Sequence, residues 1–501
     1  MGLKKLESQL EGDLHVDQLH KIIYATDASV YRKIPLAVAF PKTVNDIKKL
    51  CAFAKAQHIT LIPRTAGTSL AGQCVGDGIV VDVSKHFTEI IHFDKEKQQV
   101  TVQPGVIRDE LNLFLKPHGL FFGPNTSTAN RCMIGGMVGN NSSGTTSIKY
   151  GVTRDKVIRL KTVLSDGSEA IFEELDVTGF RQKLSLENLE GSIYKRVNDY
   201  FSQSIVRNEI KDQFPKPEIH RRNTGYALDE IASTAPFEEH GKPFNFCKLL
   251  SGSEGTLAFT TEITLQLDVL PPAYGVMVAG HYKDLDSCLQ AVVPAMKHDL
   301  YTCEMMDKVI LDCTKNNREQ EKNRFFIEGD PAAILMFELR DATLEGAMQQ
   351  AEDLIDSLRQ DGQGYAYPIL QGGQIAQAMD LRKAGLGLLG NMIGDRKAVA
   401  CIEDTAVALD DLAPYISEFT ALMKKHEQDA VYYAHAGAGE IHLRPILDLK
   451  TSQDVALFRQ ITTDVAHLVK KYNGSMSGEH GDGIVRAEFI SMMVGDEKRS
   501  F

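Results

Sequence analysis

The sequence predicts an α+β protein with more than one core, on three observations. Between residues 34 and 83 an apolar strand pattern, an amphipathic helix and a second strand follow one another. From Gly275 onward, strand and helix patterns alternate on the scale of a compact domain with an antiparallel sheet. The length of 501 residues, at roughly 150 per domain, leaves room for about three folding units.

The elements follow in order. LAVAF at 36–40 reads as a strand. Pro41 and Thr43 open a helix in which Val44, Ile47, Leu50, Cys51 and Ala54 keep a 3.6-residue spacing, and ITLIP at 59–63 is a strand again, completing a β-α-β unit. Further strands are predicted at 78–84, 88–94 and 98–103, then a helix over 106–117 with Leu111, Phe114 and Leu115 on one face. Small residues at 129–138 predict a short helix, and Asp166-Gly167 joins strands at 157–164 and 169–172 as a hairpin. A helix is expected over 192–210 and a strand over 258–267, before Leu270-Pro-Pro-Ala273 marks a domain boundary. Beyond it come strands at 276–282 and 332–339 and helices at 285–297, 344–360, 379–390 and 412–426, with the sheet expected to be covered on one face.

Composition narrows the function. Fifty-five Lys+Arg against 67 Asp+Glu give a net charge of −12, which disfavours a nucleic-acid partner because phosphate backbones need a basic face. No apolar run reaches the ~18 residues of a membrane span, and the N-terminus has neither a signal core nor transit-peptide character, so a cytoplasmic protein is expected. Eight cysteines (51, 74, 132, 247, 288, 303, 313 and 401) contain no CxxC pair, which argues for reduced thiols and against a metal–sulfur site in this chain. The 40 glycines cluster beside Ser, Thr and Asn in three loops, a composition that offers backbone amides to phosphates and also suits plain surface turns. Neither G-x-G-x-x-G nor G-x-x-x-x-G-K-[ST] occurs, so the usual dinucleotide fold and the P-loop are not supported.

Four segments carry a resemblance: Pro63 to Gln73 (PRTAGTSLAGQ), Pro124-Asn-Thr-Ser-Thr with Cys132-Met-Ile-Gly-Gly136, Tyr150-Gly-Val-Thr-Arg154, and Ser251-Gly-Ser-Glu-Gly-Thr256. Together they resemble the two-lobed PCMH-type FAD-binding domain of the vanillyl-alcohol-oxidase superfamily, within it the D-lactate, glycolate and D-2-hydroxyglutarate dehydrogenase group. The resemblance implies that Arg64, Thr65, Ala66, Gly67, Thr68, Ser69, Gly72 and Gln73 wrap the FAD pyrophosphate. Gly67 and Gly72 would let amides approach it unhindered. It further implies FAD contacts from Pro124, Thr126, Ser127, Gly135, Gly136, Asn140, Ser143 and Gly144, from Tyr150 and Gly151, and from Glu254, Gly255 and Thr256. Many relatives bond the flavin to a histidine in the first loop; residues 64–72 contain none, so non-covalent FAD is expected.

Two C-terminal motifs complete the reading: His435-Ala-Gly-Ala-Gly-Glu-Ile-His442 and Ser477-Gly-Glu-His-Gly-Asp-Gly483. Alone, the histidine pair also suits two satisfied core residues. The Gly-Ala-Gly turn between them and the nearby Glu479-His480 supply enough donors for an N,N,O site. The resemblance implies that His435, His442 and Glu479 bind a divalent metal, zinc or manganese, and that His480 is the base beside the flavin. It also implies that Arg382 binds the substrate carboxylate; Arg396, Lys397 and Arg444 are weaker candidates. The expected reaction oxidises a D-2-hydroxy acid by hydride transfer to flavin N5, with electrons passed to an acceptor other than NAD.

Departures from the family leave D-2-hydroxyglutarate, D-lactate and glycolate open as substrates. Leu386 and Ile402 stand where D-2-hydroxyglutarate enzymes carry Thr and Lys, and Ala438-Gly439-Glu440 replaces Asp-Gly-Asn. Segments 381–388, 394–397 and 402–407 are most similar to large bacterial members fused to an iron–sulfur C-terminal half. The expected division is an N-terminal extension (1–33), an FAD-binding domain (34–270), a substrate domain (271–470) and a return segment (471–501) that reads as cut short. Iron–sulfur clusters in a missing half, a quinone or an electron-transfer protein are the expected acceptors, with peripheral membrane contact through them. A homo-oligomer is compatible. The competing readings are a metallohydrolase built on the histidines and an inactive flavin-fold electron-transfer module.

Overall fold

The computed structural model describes residues 2–495 apart from 316, 361 and 363 and the side chains of 386 and 391. The expectation at the Leu386 side chain and the last residues of the 471–501 segment therefore lie outside the described residues.

The first lobe carries a four-stranded sheet in the order Asp13–His15, Ala37–Phe40, Ile79–Asp82, Leu61–Arg64. Ala37–Phe40 and Leu61–Arg64 run parallel as the β-α-β pattern predicts, but each pairs with Ile79–Asp82, which lies between them. Helix Val44–Gln57 connects them, its N-terminus capped by the Thr43 hydroxyl, which accepts from the Asp46 N–H. The buried Asp46 carboxylate in turn accepts backbone N–H bonds from Glu11, Gly12 and Lys42. This holds the N-terminal segment against the lobe, where Asp13–His15 pairs antiparallel with Ala37–Phe40.

The second lobe is a five-stranded antiparallel sheet in the order Ile90–Asp94, Gln99–Val102, Phe259–Gln266, Val157–Val163, Glu169–Glu173. The chain leaves this sheet for about ninety residues before Phe259–Gln266 returns to its centre. In that excursion the helix expected over 192–210 is two, Leu189–Phe201 and Ser204–Gln213.

The third part is a nine-stranded antiparallel sheet whose main path runs Gly364–Ala366, Tyr274–Tyr282, Ala333–Asp341, Thr302–Asp307, Ala430–His435, Glu440–Leu447, Lys397–Ala398. The expectation that helices cover one face is corrected. Alternate residues of its strands pack into two separate cores, Val276, Val278 and Leu335 into one, Met277, Ala279 and Ile334 into the other. Leu354 and Leu358 of helix Leu344–Gln360 join the first core. Ile310 of Lys308–Lys315 and Leu381 of Gly373–Leu388 join the second. The continuous apolar runs VMVA and AILMF are the signature of a sheet buried on both sides. At about 1.5–3 kcal/mol for each large apolar side chain removed from water, this second layer holds Gly373–Leu388 and Arg382 on the sheet.

Candidate active site

Strand Leu61–Arg64 delivers the chain into a loop whose Gly67 (φ 66°) and Gly72 (φ 80°) take backbone conformations that side chains avoid. This loop faces a second one from 124–144 across a cavity of about 550 Å³. Thr65 to Ser69 form one wall and Thr126, Ser127, Gly136 and Asn140 another, and the far end is closed by Arg444, Glu479 and His480. A smaller void of about 90 Å³ adjoins it, lined by Gln73, Gly135, Glu254 and Gly255. A Cβ on Gly136 would lie 2.7 Å from the Thr65 Oγ1, so the two loops approach this closely only around glycine. Glycine-lined walls rich in amides and hydroxyls fit a long, phosphate-bearing cofactor such as FAD.

Some expected cofactor residues also make contacts within the protein. Ser143 Oγ donates to Glu479 (2.9 Å), the Gly144 carbonyl accepts from Arg221, and the Pro124 carbonyl accepts from Arg108 (3.0 Å). The Tyr150 ring packs edge-on against Phe121, and Gly151 lines a different cavity. Thr256 bonds the Tyr226 hydroxyl (2.6 Å). Glu254, in a left-handed conformation (φ 56°), accepts from the Asp482 N–H (2.6 Å) and from Gly483. It therefore fixes the return segment.

That segment, 477–483, crosses from the third part to the glycine loops. The Gln73 amide donates to the His480 carbonyl at 2.6 Å and the Asn140 amide at 3.1 Å. From the other side Asp404 accepts from the Ser477 hydroxyl (2.6 Å) and the N–H groups of Glu479 (2.8 Å) and His480 (2.7 Å). Asp404 is buried and itself left-handed (φ 89°). The His480 imidazole is thus left to the cavity, stacked on His442 with ring centroids 5.3 Å apart.

The histidines converge because of strand geometry. His435 pairs with Glu440 in the ladder, and His442 lies two residues further on, so the three side chains share one face. The turn between them closes through Gly439 (φ 68°). His435 Nε2 lies 3.3 Å from Glu479 Oε1, His442 Nε2 lies 3.9 Å from the same oxygen, and one donor atom from each of His435, Glu440, His442 and Glu479 falls within 4.8 Å of the others. Burial, then the neighbouring His435 and His480, hold His442 well below the ordinary imidazole range, so it presents a lone pair. Burial opposes the charge of Glu479, but Arg221 and His435 outweigh it and hold that carboxyl well below its usual range. Two imidazoles, one of them held neutral, and an ionised carboxylate fit a divalent metal.

Behind the cluster, His435 Nδ1 bonds the Glu304 carboxylate at 2.8 Å, and Glu304 is ion-paired to Arg382. Both are buried, and the Arg382 guanidinium lies 4.1 Å over the Tyr433 ring and donates to the Ala434 carbonyl. A carboxylate on the second nitrogen of a ligating histidine fixes its tautomer and aim. Arg444 lines the cavity and pairs with Glu403. Lys397 donates to the Met392 carbonyl and is not among the cavity's lining residues, and Arg396 bonds the Ile446 carbonyl. The sequence reading missed Glu304, Asp404 and Arg221. Only Glu304 left a signal, a charge flanked by the apolar Cys303, Met305 and Met306 inside strand Thr302–Asp307.

Residues 35–171 match the family model for an FAD binding domain, and residues 271–500 match that for the C-terminal domain of FAD linked oxidases. The chain is 35% identical over 494 residues to a D-2-hydroxyglutarate dehydrogenase of Haemophilus influenzae, covering 95% of this chain and 47% of that protein. It is 24% identical to the glycolate oxidase subunit GlcD of Bacillus subtilis, over 95% of this chain and 87% of that one. The chain spans about half the length of the D-2-hydroxyglutarate dehydrogenases of Haemophilus influenzae, Pseudomonas putida, Escherichia coli and Pantoea ananatis that it matches. Its fold matches the crystal structure of p-cresol methylhydroxylase with substrate bound, at a TM-score of 0.68 and 13% identity, over 99% of this chain and 92% of that one. Among the described residues no helix is long and apolar enough to cross a membrane.

Proposed function

The chain belongs to the FAD-linked oxidases, and on that premise we propose that it oxidises a D-2-hydroxy acid, D-2-hydroxyglutarate or D-lactate, with FAD and a divalent metal. His480 and Glu479 stand in the wall of the same cavity that the glycine loops line, and that juxtaposition carries the reading. The names of the relatives at 32–35% identity favour D-2-hydroxyglutarate as substrate.

Bound here, FAD supplies a hydride acceptor, and a zinc or manganese ion on His435, His442 and Glu479 supplies a Lewis acid. The substrate loses its hydroxyl proton and its α-hydride. His480 takes the proton on its imidazole, which the Asp404, Gln73 and Asn140 contacts to its backbone aim into the cavity. Arg444 in the wall pairs with the substrate carboxylate; Arg382, the stronger sequence candidate for that role, is not among the cavity's lining residues and orients His435 through Glu304. Electrons leave to an acceptor other than NAD, an iron–sulfur protein, a quinone or an electron-transfer protein, in keeping with the missing dinucleotide motif.

Mixing the FAD-loaded protein anaerobically with a panel of D- and L-2-hydroxy acids tests the proposal. Bleaching of the yellow flavin by D-2-hydroxyglutarate or D-lactate, and not by their L-enantiomers, is the expected result. No bleaching by any D-2-hydroxy acid overturns it. Acid precipitation should leave a colourless polypeptide. Cys132 lines the cavity, but burial pushes its thiol up and away from the nucleophilic form. Yellow retained on the precipitate would instead mean a covalent flavin bond.

A further inference from the structure

Glu440 is wholly buried beside the histidines, and its two oxygens are treated differently. Oε2 is ion-paired to Arg221, itself buried. Oε1 accepts from no N–H or hydroxyl among the described residues and lies 3.7 Å from His442 Nε2, and the carboxyl also contacts the Asp404 carboxyl. We infer that Glu440 is a fourth protein ligand to the ion held by His435, His442 and Glu479, an inference that rests on the metal reading above.

Three observations support it. Donors sharing one ion at about 2.0–2.2 Å stand roughly 3–3.5 Å apart at neighbouring positions. The spacings here of 3.3, 3.7 and 3.9 Å need only a slight contraction around a cation. Carboxylates also crowd the cluster: Glu440 faces Glu479 and Asp404, with Arg221 shared between Glu440 and Glu479 as their cation. The carboxylate is held in place as well. A Cβ on Gly478 would come within 2.8 Å of its Cδ, so the return segment closes over Glu440 only with glycine there. Neutralising Arg221 needs one oxygen of Glu440; it does not explain why the other is buried and placed 3.7 Å from His442 Nε2 within the ligand set.

A ligand count of four changes which ion suits the site. Four protein donors fill a tetrahedral shell, and a 2-hydroxy acid that binds through hydroxyl and carboxylate oxygens needs two further positions. The site then requires a six-coordinate ion, which points to manganese over four-coordinate zinc.

The full chain, stripped with a chelator and reloaded with Mn²⁺ alone, tests this by X-ray absorption and by anomalous diffraction from crystals. A six-coordinate ion with Glu440 Oε1 at about 2.2 Å is expected. Glu440→Gln should lower Mn²⁺ affinity by about ten- to a hundredfold and lengthen or lose the bond at that position, with the flavin absorbance retained. An ion on wild-type protein with Glu440 beyond about 3.5 Å, or a Glu440→Gln variant with unaltered affinity and coordination number, overturns the inference and leaves the three-ligand site standing. A wild-type chain that takes up no divalent ion overturns the metal reading itself. The wild-type measurements decide the matter if the variant does not fold.

Discussion

Replacing His480 by alanine is expected to slow flavin reduction by a D-2-hydroxy acid by about 10²- to 10⁴-fold, the usual worth of a positioned general base, with FAD bound as in the wild type. The two halves of the expectation come from different atoms of one residue. His480 meets the flavin loops through its carbonyl, which accepts from Gln73 and Asn140, and meets Asp404 through its N–H. All three contacts survive in alanine, so the return segment should stay in place. What disappears is an imidazole facing the cavity and stacked on His442. Anaerobic stopped-flow reduction checks the first half and the flavin-to-protein ratio checks the second. Fast reduction by the variant would assign the proton to another group.

Asp404→Ala should have an effect of similar size by another route. The carboxylate of Asp404 is the acceptor for one hydroxyl and two backbone N–H groups of the segment that carries Glu479 and His480. A buried donor left without an acceptor costs about 1–3 kcal/mol, enough across three donors to detach the segment. Metal affinity, flavin reduction and melting temperature should therefore fall together. Asp404→Gly separates the two roles of the residue: glycine relieves the left-handed backbone (φ 89°) but supplies no acceptor, so it should fail as alanine does. Recovery in the glycine variant would show that backbone strain, and not the carboxylate, matters at this position.

Local patterns were legible where the signal was local. The apolar run at 36–40, the helix spacing from Val44 to Ala54 and the hairpin at Asp166-Gly167 each reappear within a few residues of their predicted bounds. Resemblance added the flavin loops and the His435, His442 and Glu479 set, which the structure brings together. What stayed hidden is non-local. Arg221 meets Glu440 across 219 positions, His435 meets Glu304 across 131, and Asp404 meets His480 across 76. No periodicity links residues so far apart, and a buried carboxylate looks in sequence like any exposed one. In sequence Glu440 is only a departure from the family's Asn; its buried oxygen beside His442 emerges only once the strands pair and Arg221 claims the other. The sheet order was equally illegible, since the strand between Ala37–Phe40 and Leu61–Arg64 comes after both in the chain.

The bond from Gln73 to the His480 carbonyl spans 407 positions, and it sets an order of events during synthesis. Domains fold as their residues emerge, so the glycine loops near the N-terminus can collapse and take up cofactor while the wall bearing Glu479 and His480 has yet to be made. Until residues 477–483 thread back against Gln73, Asn140 and Glu254, the nascent chain holds a cleft without His480 and Glu479, the proposed base and metal ligand. On the proposed reading, His480 and Glu479 therefore join the site after the glycine loops and the strands bearing His435 and His442 are in place.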